Sequence, residues 1–105
     1  MVEAFEDPIE EAKYYRDQMN HNYLTPVEIA QRVGKDRAQI AVTIQLLRLP
    51  SELQNYVRQG LLQKEQGAVL SQLKDDEECL AWGRRCLRER LSAVTLAKLI
   101  KSRFN

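Results

Sequence analysis

The segment from Leu24 to Pro50, LTPVEIAQRVGKDRAQIAVTIQLLRLP, constrains what this chain can fold into more than any other. It sets Ala30, Gly34 and Ile40 four and six residues apart. A small residue, a glycine and a branched apolar residue at those offsets let two short helices cross closely around a tight turn. That is the packing of a helix-turn-helix, a device that lays one helix in the major groove of DNA. Thr25 is a good N-cap, Pro26 suits the first helical position, and Glu28 completes a capping box with Thr25. Ile29, Ala30 and Val33 share one face, and Ala30 is small where the second helix crosses. Gly34 suits a left-handed C-terminal cap that a side chain would disfavour. Asp36 caps the second helix, with Gln39 as its box partner. That helix is expected from about Arg37 to Arg48, burying Ile40, Thr43, Ile44 and Leu47 until Pro50 ends it. The bland alternative is an ordinary αα-hairpin inside a small helical core.

The rest of the chain also reads as helix, because Val, Ile and Thr never alternate with polar residues as a half-buried strand requires. Asp7 caps a first helix with Pro8 at its start and Glu10 as box partner. It runs to about Asn20 and buries Ile9, Ala12, Tyr15 or Tyr14, and Met19. A fourth helix opens at Ser51, turns Leu53, Tyr56 and Val57 inward, and stops at Gly60. Leu61 and Leu62 read as a short buried connector. A fifth helix covers roughly Lys64 to Leu73. Asp75 or Asp76 caps a sixth, which carries Leu80, Trp82 and Leu87 and ends near Arg90. Ser92 caps the last, with Leu96, Leu99, Ile100 and Phe104 on its apolar side. The expected architecture is all-α: about seven short helices in one domain, residues 1–105, with the helix-turn-helix at about 25–48.

At 105 residues with 44% hydrophobic and 30% charged residues, the chain can bury a modest core rather than remain disordered. No apolar run approaches the roughly 18 residues of a membrane span, and the acidic start MVEAFEDPIEE does not read as a signal peptide. Cys79 and Cys86 lie on one helical face and read as buried reduced thiols of a cytoplasmic protein. No metal site is expected, since the only histidine, His21, sits in a polar stretch read as a solvated loop. No nucleophile–base pair, paired carboxylates or glycine-rich phosphate loop points to an enzyme or to a cofactor.

Charge is uneven although the net value is +1. Residues 1–31 carry two basic and seven acidic groups, hence −5, and residues 32–64 six basic and two acidic, hence +4. The remaining residues carry eight basic and six acidic groups, hence +2. The positive block coincides with the turn and the second helix of the hairpin, as expected where phosphate is met.

With that helix in a major groove, its outward face is Arg37, Ala38, Ala41, Val42 and Gln45, the candidate base-contacting residues. Arg37 stands at the N-terminal end, where an arginine can grip guanine O6 and N7 together. Gln45 suits adenine, and Ala41 or Val42 a thymine methyl. Thr25 with the backbone amides at its helix start, Lys35 in the turn, and Arg48 at the far end are the candidate phosphate contacts. Arg48 has a second option, an i, i+4 ion pair with Glu52. The run Arg84, Arg85, Arg88 and Arg90 reads as a solvated helix face or as a further phosphate contact, and Trp82 as core.

At these residues the chain resembles the central DNA-binding domain of the ParB/KorB family of partition proteins and related repressors. DPIEEAKYYRDQM resembles the family's leading helix. LTPVEIAQRVGKDRAQIAVTIQLLRLP follows its helix-turn-helix pattern without a gap, SELQNYVRQGLL its next helix, and RLSAVTLAKLIK its closing one. The resemblance implies sequence-specific binding of double-stranded DNA at a palindromic, parS-like or operator-like site. It also implies a dimer on that site, a role in segregation or repression, and a nucleoid or plasmid location. Arg37 falls on the family's recognition-helix arginine and Lys35 on its turn lysine. Val42 stands where an asparagine is usual and Gln45 where an arginine is common. KEQGAVL replaces G-H-A-R-A-L, so that a DNA-proximal arginine becomes Ala68. These departures leave a second reading, a protein-interaction domain that keeps the fold without strong DNA binding. Nothing in these residues resembles the family's nucleotide-binding or C-terminal dimerisation domains, so neither CTP hydrolysis nor clamp sliding is implied for them.

Overall fold

The computed structural model describes residues 7–103, and Phe104 of the expected last helix lies outside them. Among the described residues all regular structure is helical: α1 Pro8–His21, α2 Pro26–Val33, α3 Arg37–Gln45, α4 Ser51–Arg58, α5 Lys64–Leu70, α6 Asp76–Glu89 and α7 Ala93–Lys101. No helix is long and apolar enough to cross a membrane.

The caps explain where the helices begin. Asp7 Oδ1 accepts from the amides of Ile9 and Glu10. Thr25 and Glu28 form the reciprocal box in full, at 3.0 and 3.2 Å. Asp36, Asp75 and Ser92 each accept from a first-turn amide. Two expected boxes do not close: Glu10 faces Lys13 and Arg58 instead of the Asp7 cap, and Asp36 caps α3 through the amide of Ala38 without Gln39. A box not read from the sequence, Gln63 with Gln66, starts α5.

Gly34 ends α2 with φ 70° and ψ 29°, the left-handed cap expected of it. An added Cβ there meets nothing within 4 Å, so substitution has only a conformational cost. Gly34→Ala is expected to lose about 1–2 kcal/mol, the left-handed penalty of an L residue. Urea unfolding should show a lower midpoint with an unchanged slope, and an unchanged midpoint would contradict this account.

Several boundaries differ from the expectation. The second hairpin helix is α-helical only to Gln45, and Leu46–Arg48 tighten into a 3-10 turn before Pro50. This rotation brings Leu46 fully inside, with Leu47 only partly buried, where Leu47 was expected to be the core residue. α5 ends at Leu70, and Leu73 follows in a turn. α1 continues to His21, which is exposed at its last turn rather than in a loop. Of the Leu61–Leu62 connector only Leu62 is buried, while Leu61 is 55% exposed. Tyr15, not Tyr14, is the buried tyrosine of α1.

The apolar residues form two clusters. The larger joins Ile9, Leu46, Leu49, Leu53, Val57, Leu62, Leu70, Leu96 and Ile100 with both cysteines. Leu80, Trp82 and Leu87 pack at its edge, while Cys79, Gly83 and Cys86 are the buried face of α6. Both thiols are free and buried, and burial first, then the Asp76 and Glu78 charges, pushes Cys79 up to about 11. The smaller cluster, Tyr15, Ile29, Ala30 and Ile40, seats α2 and α3 on α1, with Met19, Leu24, Val33 and Ile44 at its margin. The helix-turn-helix thus has its own core, and α1 is the strut common to both clusters.

Candidate nucleic-acid interface

The outer face of the hairpin follows from what its inner face buries. Ile40 is 0% exposed and Thr43 1%, so the opposite side of α3 turns outward. Thr43 satisfies its hydroxyl by donating to the Gln39 carbonyl at 2.8 Å. Arg37, Ala38 and Ala41 are exposed, and Val42 and Gln45 are half-buried at the margin of that face. The candidate base-contacting residues therefore share one side of one helix, with Arg37 at its first turn. Ala38 and Ala41 keep the centre of the face low, so a surface can approach the helix backbone.

Charge supports the same side. Arg37 and Arg48 make no ion pair among the described residues, and both are exposed. The option of an Arg48–Glu52 pair is not taken. The 3-10 turn and Pro50 separate the two residues into different elements, so no i, i+4 geometry exists between them. Glu52 instead receives both arms of Arg84 at 2.7 and 2.8 Å and the Tyr56 hydroxyl at 2.7 Å. Those two contacts, Arg84 first, hold its carboxyl down at about 2.

Thr25 is exposed, but its hydroxyl already serves Glu28, donating to Oε1 at 3.1 Å while accepting from the Glu28 amide. Lys35 differs most from the expectation. Its Nζ lies 2.6 Å from Oε2 of Glu11, a carboxylate on α1 that is 3% exposed. Lys64, at the first position of α5, reaches Oε1 of the same carboxylate at 2.8 Å, and the Tyr15 hydroxyl donates to Oε2. Burial alone would raise the Glu11 carboxyl; the bonds from Lys35, Lys64 and Tyr15 outweigh it and set it below its ordinary value. Burial and that carboxylate together raise the Tyr15 phenol.

Sequence reasoning missed Glu11 and Lys64. The available signal was an acid on the apolar stripe of α1, since Glu11 precedes Tyr15 by one helical turn and adjoins Ala12. The arginine run of α6 is largely engaged within the domain. Besides Arg84 on Glu52, Arg85 pairs with Glu89 at 2.9 Å and lies over the Trp82 ring, and Arg88 is 4.0 Å from Glu89. Arg90 is the left-handed cap of the helix. Ala68 is buried at 8% exposure, so α5 presents no groove-facing side chain at that position. Among the described residues no cluster of His, Cys, Asp or Glu is arranged to hold a metal.

Comparison with known proteins places this geometry. The chain is 33% identical over 94 residues to the stage 0 sporulation protein J of Bacillus subtilis, covering 90% of this chain and 33% of that protein. It is 36% identical over 75 residues to a probable chromosome-partitioning protein ParB of Treponema pallidum, covering 71% and 23%. A nucleoid occlusion protein of Listeria monocytogenes is 36% identical over 74 residues, covering 70% and 26%. The chain thus spans about a third or less of the length of these relatives. In structure it is similar to the C-terminally truncated ParB of Caulobacter crescentus complexed to the centromeric parS site. That match has TM-score 0.83 and 29% identity, covering 91% of this chain and 48% of that one. A ParB DNA-binding domain complexed to parS matches with TM-score 0.81 and 28% identity, covering 91% and 77%. The ParB HTH domain model matches residues 6–105, nearly the whole chain, and the chain belongs to that family.

Proposed function

We propose that this chain is a sequence-specific, double-stranded DNA-binding module of a partition-type protein or a related repressor, with α3 as its recognition helix. The observation that carries the reading is the outward face of α3. It combines Arg37 at the first turn, small residues at 38 and 41, and Arg48 just beyond the helix, both arginines without an ion pair among the described residues. In this reading Arg37, Ala38, Ala41, Val42 and Gln45 meet base edges. Arg48, Thr25 with the amides of the α2 start, and Lys35 lie toward phosphate. Relatives with this fold are described as complexed to a centromeric DNA site, which favours DNA over a protein partner for the same face. One such module reads one half-site, so tight binding requires two copies on a palindrome. The module binds and positions; it carries out no covalent step.

The chain titrated against a pool of randomised palindromic duplexes should select a consensus at about 50 mM salt and lose affinity steeply by about 200 mM, as phosphate-driven binding does. Absence of binding at the lower salt would leave the protein-interaction reading in its place.

A further inference from the structure

We infer that Glu11 is a positioning residue for DNA reading: a buried carboxylate on α1 that locks the turn of the helix-turn-helix and the start of α5 into one register. The inference rests on the reading of α3 as the recognition helix. Glu11 is the one ionisable carboxylate buried among the described residues. Its two oxygens are divided between two other elements, Oε2 to Lys35 of the turn and Oε1 to Lys64 of α5. Lys35 also makes the one ion pair that joins residues 25–45 to the rest of the domain, among the described residues.

The location matters as much as the bonds. α1 contributes Ile9 to the larger apolar cluster and Tyr15 to the smaller, and Glu11 lies between them in sequence. Apolar contacts are non-directional and hold the two clusters together without defining their angle closely. A carboxylate with both oxygens engaged is directional, and it sets where the turn before Arg37 stands relative to α5. The lysine side chains are 43% and 25% exposed, so loss of the carboxylate lets each ammonium reach water instead of stranding a buried charge. Glu11→Gln, nearly isosteric, should therefore release the register without opening a cavity.

Two measurements on the 105-residue chain test this. In amide hydrogen exchange, Glu11→Gln should raise exchange in α2 and α3 at least about tenfold more than in α6 and α7, because local opening of the hairpin is made easier. In duplex titration, Glu11→Gln should weaken the selected duplex about tenfold and a scrambled one little. The slope of affinity against salt should be retained, because no phosphate contact is removed. Exchange rising equally in all helices, or an unchanged ratio of selected to scrambled affinity, would overturn the positioning role. If Glu11→Gln does not fold, Lys64→Met severs only the α5 side and should move both readouts the same way to a smaller extent; no movement rejects the role. Failure of the unmodified chain to prefer any duplex would count against the DNA reading, while the exchange comparison would still decide the register claim.

Discussion

Replacing Leu46 with alanine is expected to cost about 2–5 kcal/mol of stability, the range for emptying a fully packed leucine site. Leu46 is 0% exposed and opens the 3-10 turn that follows α3. A Cβ built on Gly67 of α5 would stand 2.5 Å from Leu46 Cδ2 and 3.3 Å from Leu49 Cδ1. The helix α5 therefore approaches the end of α3 as closely as a glycine permits, and Leu46 fills the notch. Gly67→Ala alone is expected to cost about 1–3 kcal/mol by overpacking. The double variant should cost less than the two single losses together, since the alanine methyl at 67 enters space vacated at 46. Denaturant unfolding of the four proteins supplies the cycle, and additivity within about 0.5 kcal/mol would refute the notch. The same contact anchors the far end of α3, opposite the end held through Glu11 and Lys35.

Arg37→Ala is expected to remove about 1–3 kcal/mol of discrimination between the selected duplex and a variant changed at the contacted base pair. Its stability should stay within about 0.5 kcal/mol of the parent, because Arg37 is exposed and makes no ion pair among the described residues. Arg48→Ala should instead weaken all duplexes alike and lower the salt slope by about 1. Lys35 would be a poor control for phosphate binding, because its removal also takes a partner from the buried Glu11. Equal loss of preference from the Arg37 and Arg48 changes would show that the two arginines do not divide base reading and phosphate holding between them.

The readings that survived contact with the structure rest on short-range rules. Thr25 with Glu28, Gly34, Asp36, Asp75 and Ser92 announce helix ends because a cap involves residues within one turn of each other. The outward placement of Arg37, Ala38 and Ala41 follows from helical period once Ile40 is assigned inward. The departures lie where the period changes or where the partner is distant in sequence. Gln45 and Val42 are half-buried at the edge of the face. Leu46 replaces Leu47 inside because the chain just after α3 tightens to three residues per turn. Glu52 went to Arg84, 32 residues away, rather than to Arg48, four residues away, since Pro50 divides the local option.

What the amino-acid sequence determined by itself is the helical class, the hairpin at Leu24–Pro50 and the face of α3 that turns outward. Each follows from caps and apolar spacing over a few residues. What only the tertiary structure decided is which charges remain available on that face. Lys35 looks as free as Arg37 in the sequence, yet one lies 2.6 Å from a buried carboxylate and the other makes no ion pair among the described residues. That difference depends on Glu11 and Lys64, 24 residues before Lys35 and 29 after it, being brought to one point by packing. No local rule can read it, because the energy of an ion pair is set by distance and burial in space, not by spacing along the chain.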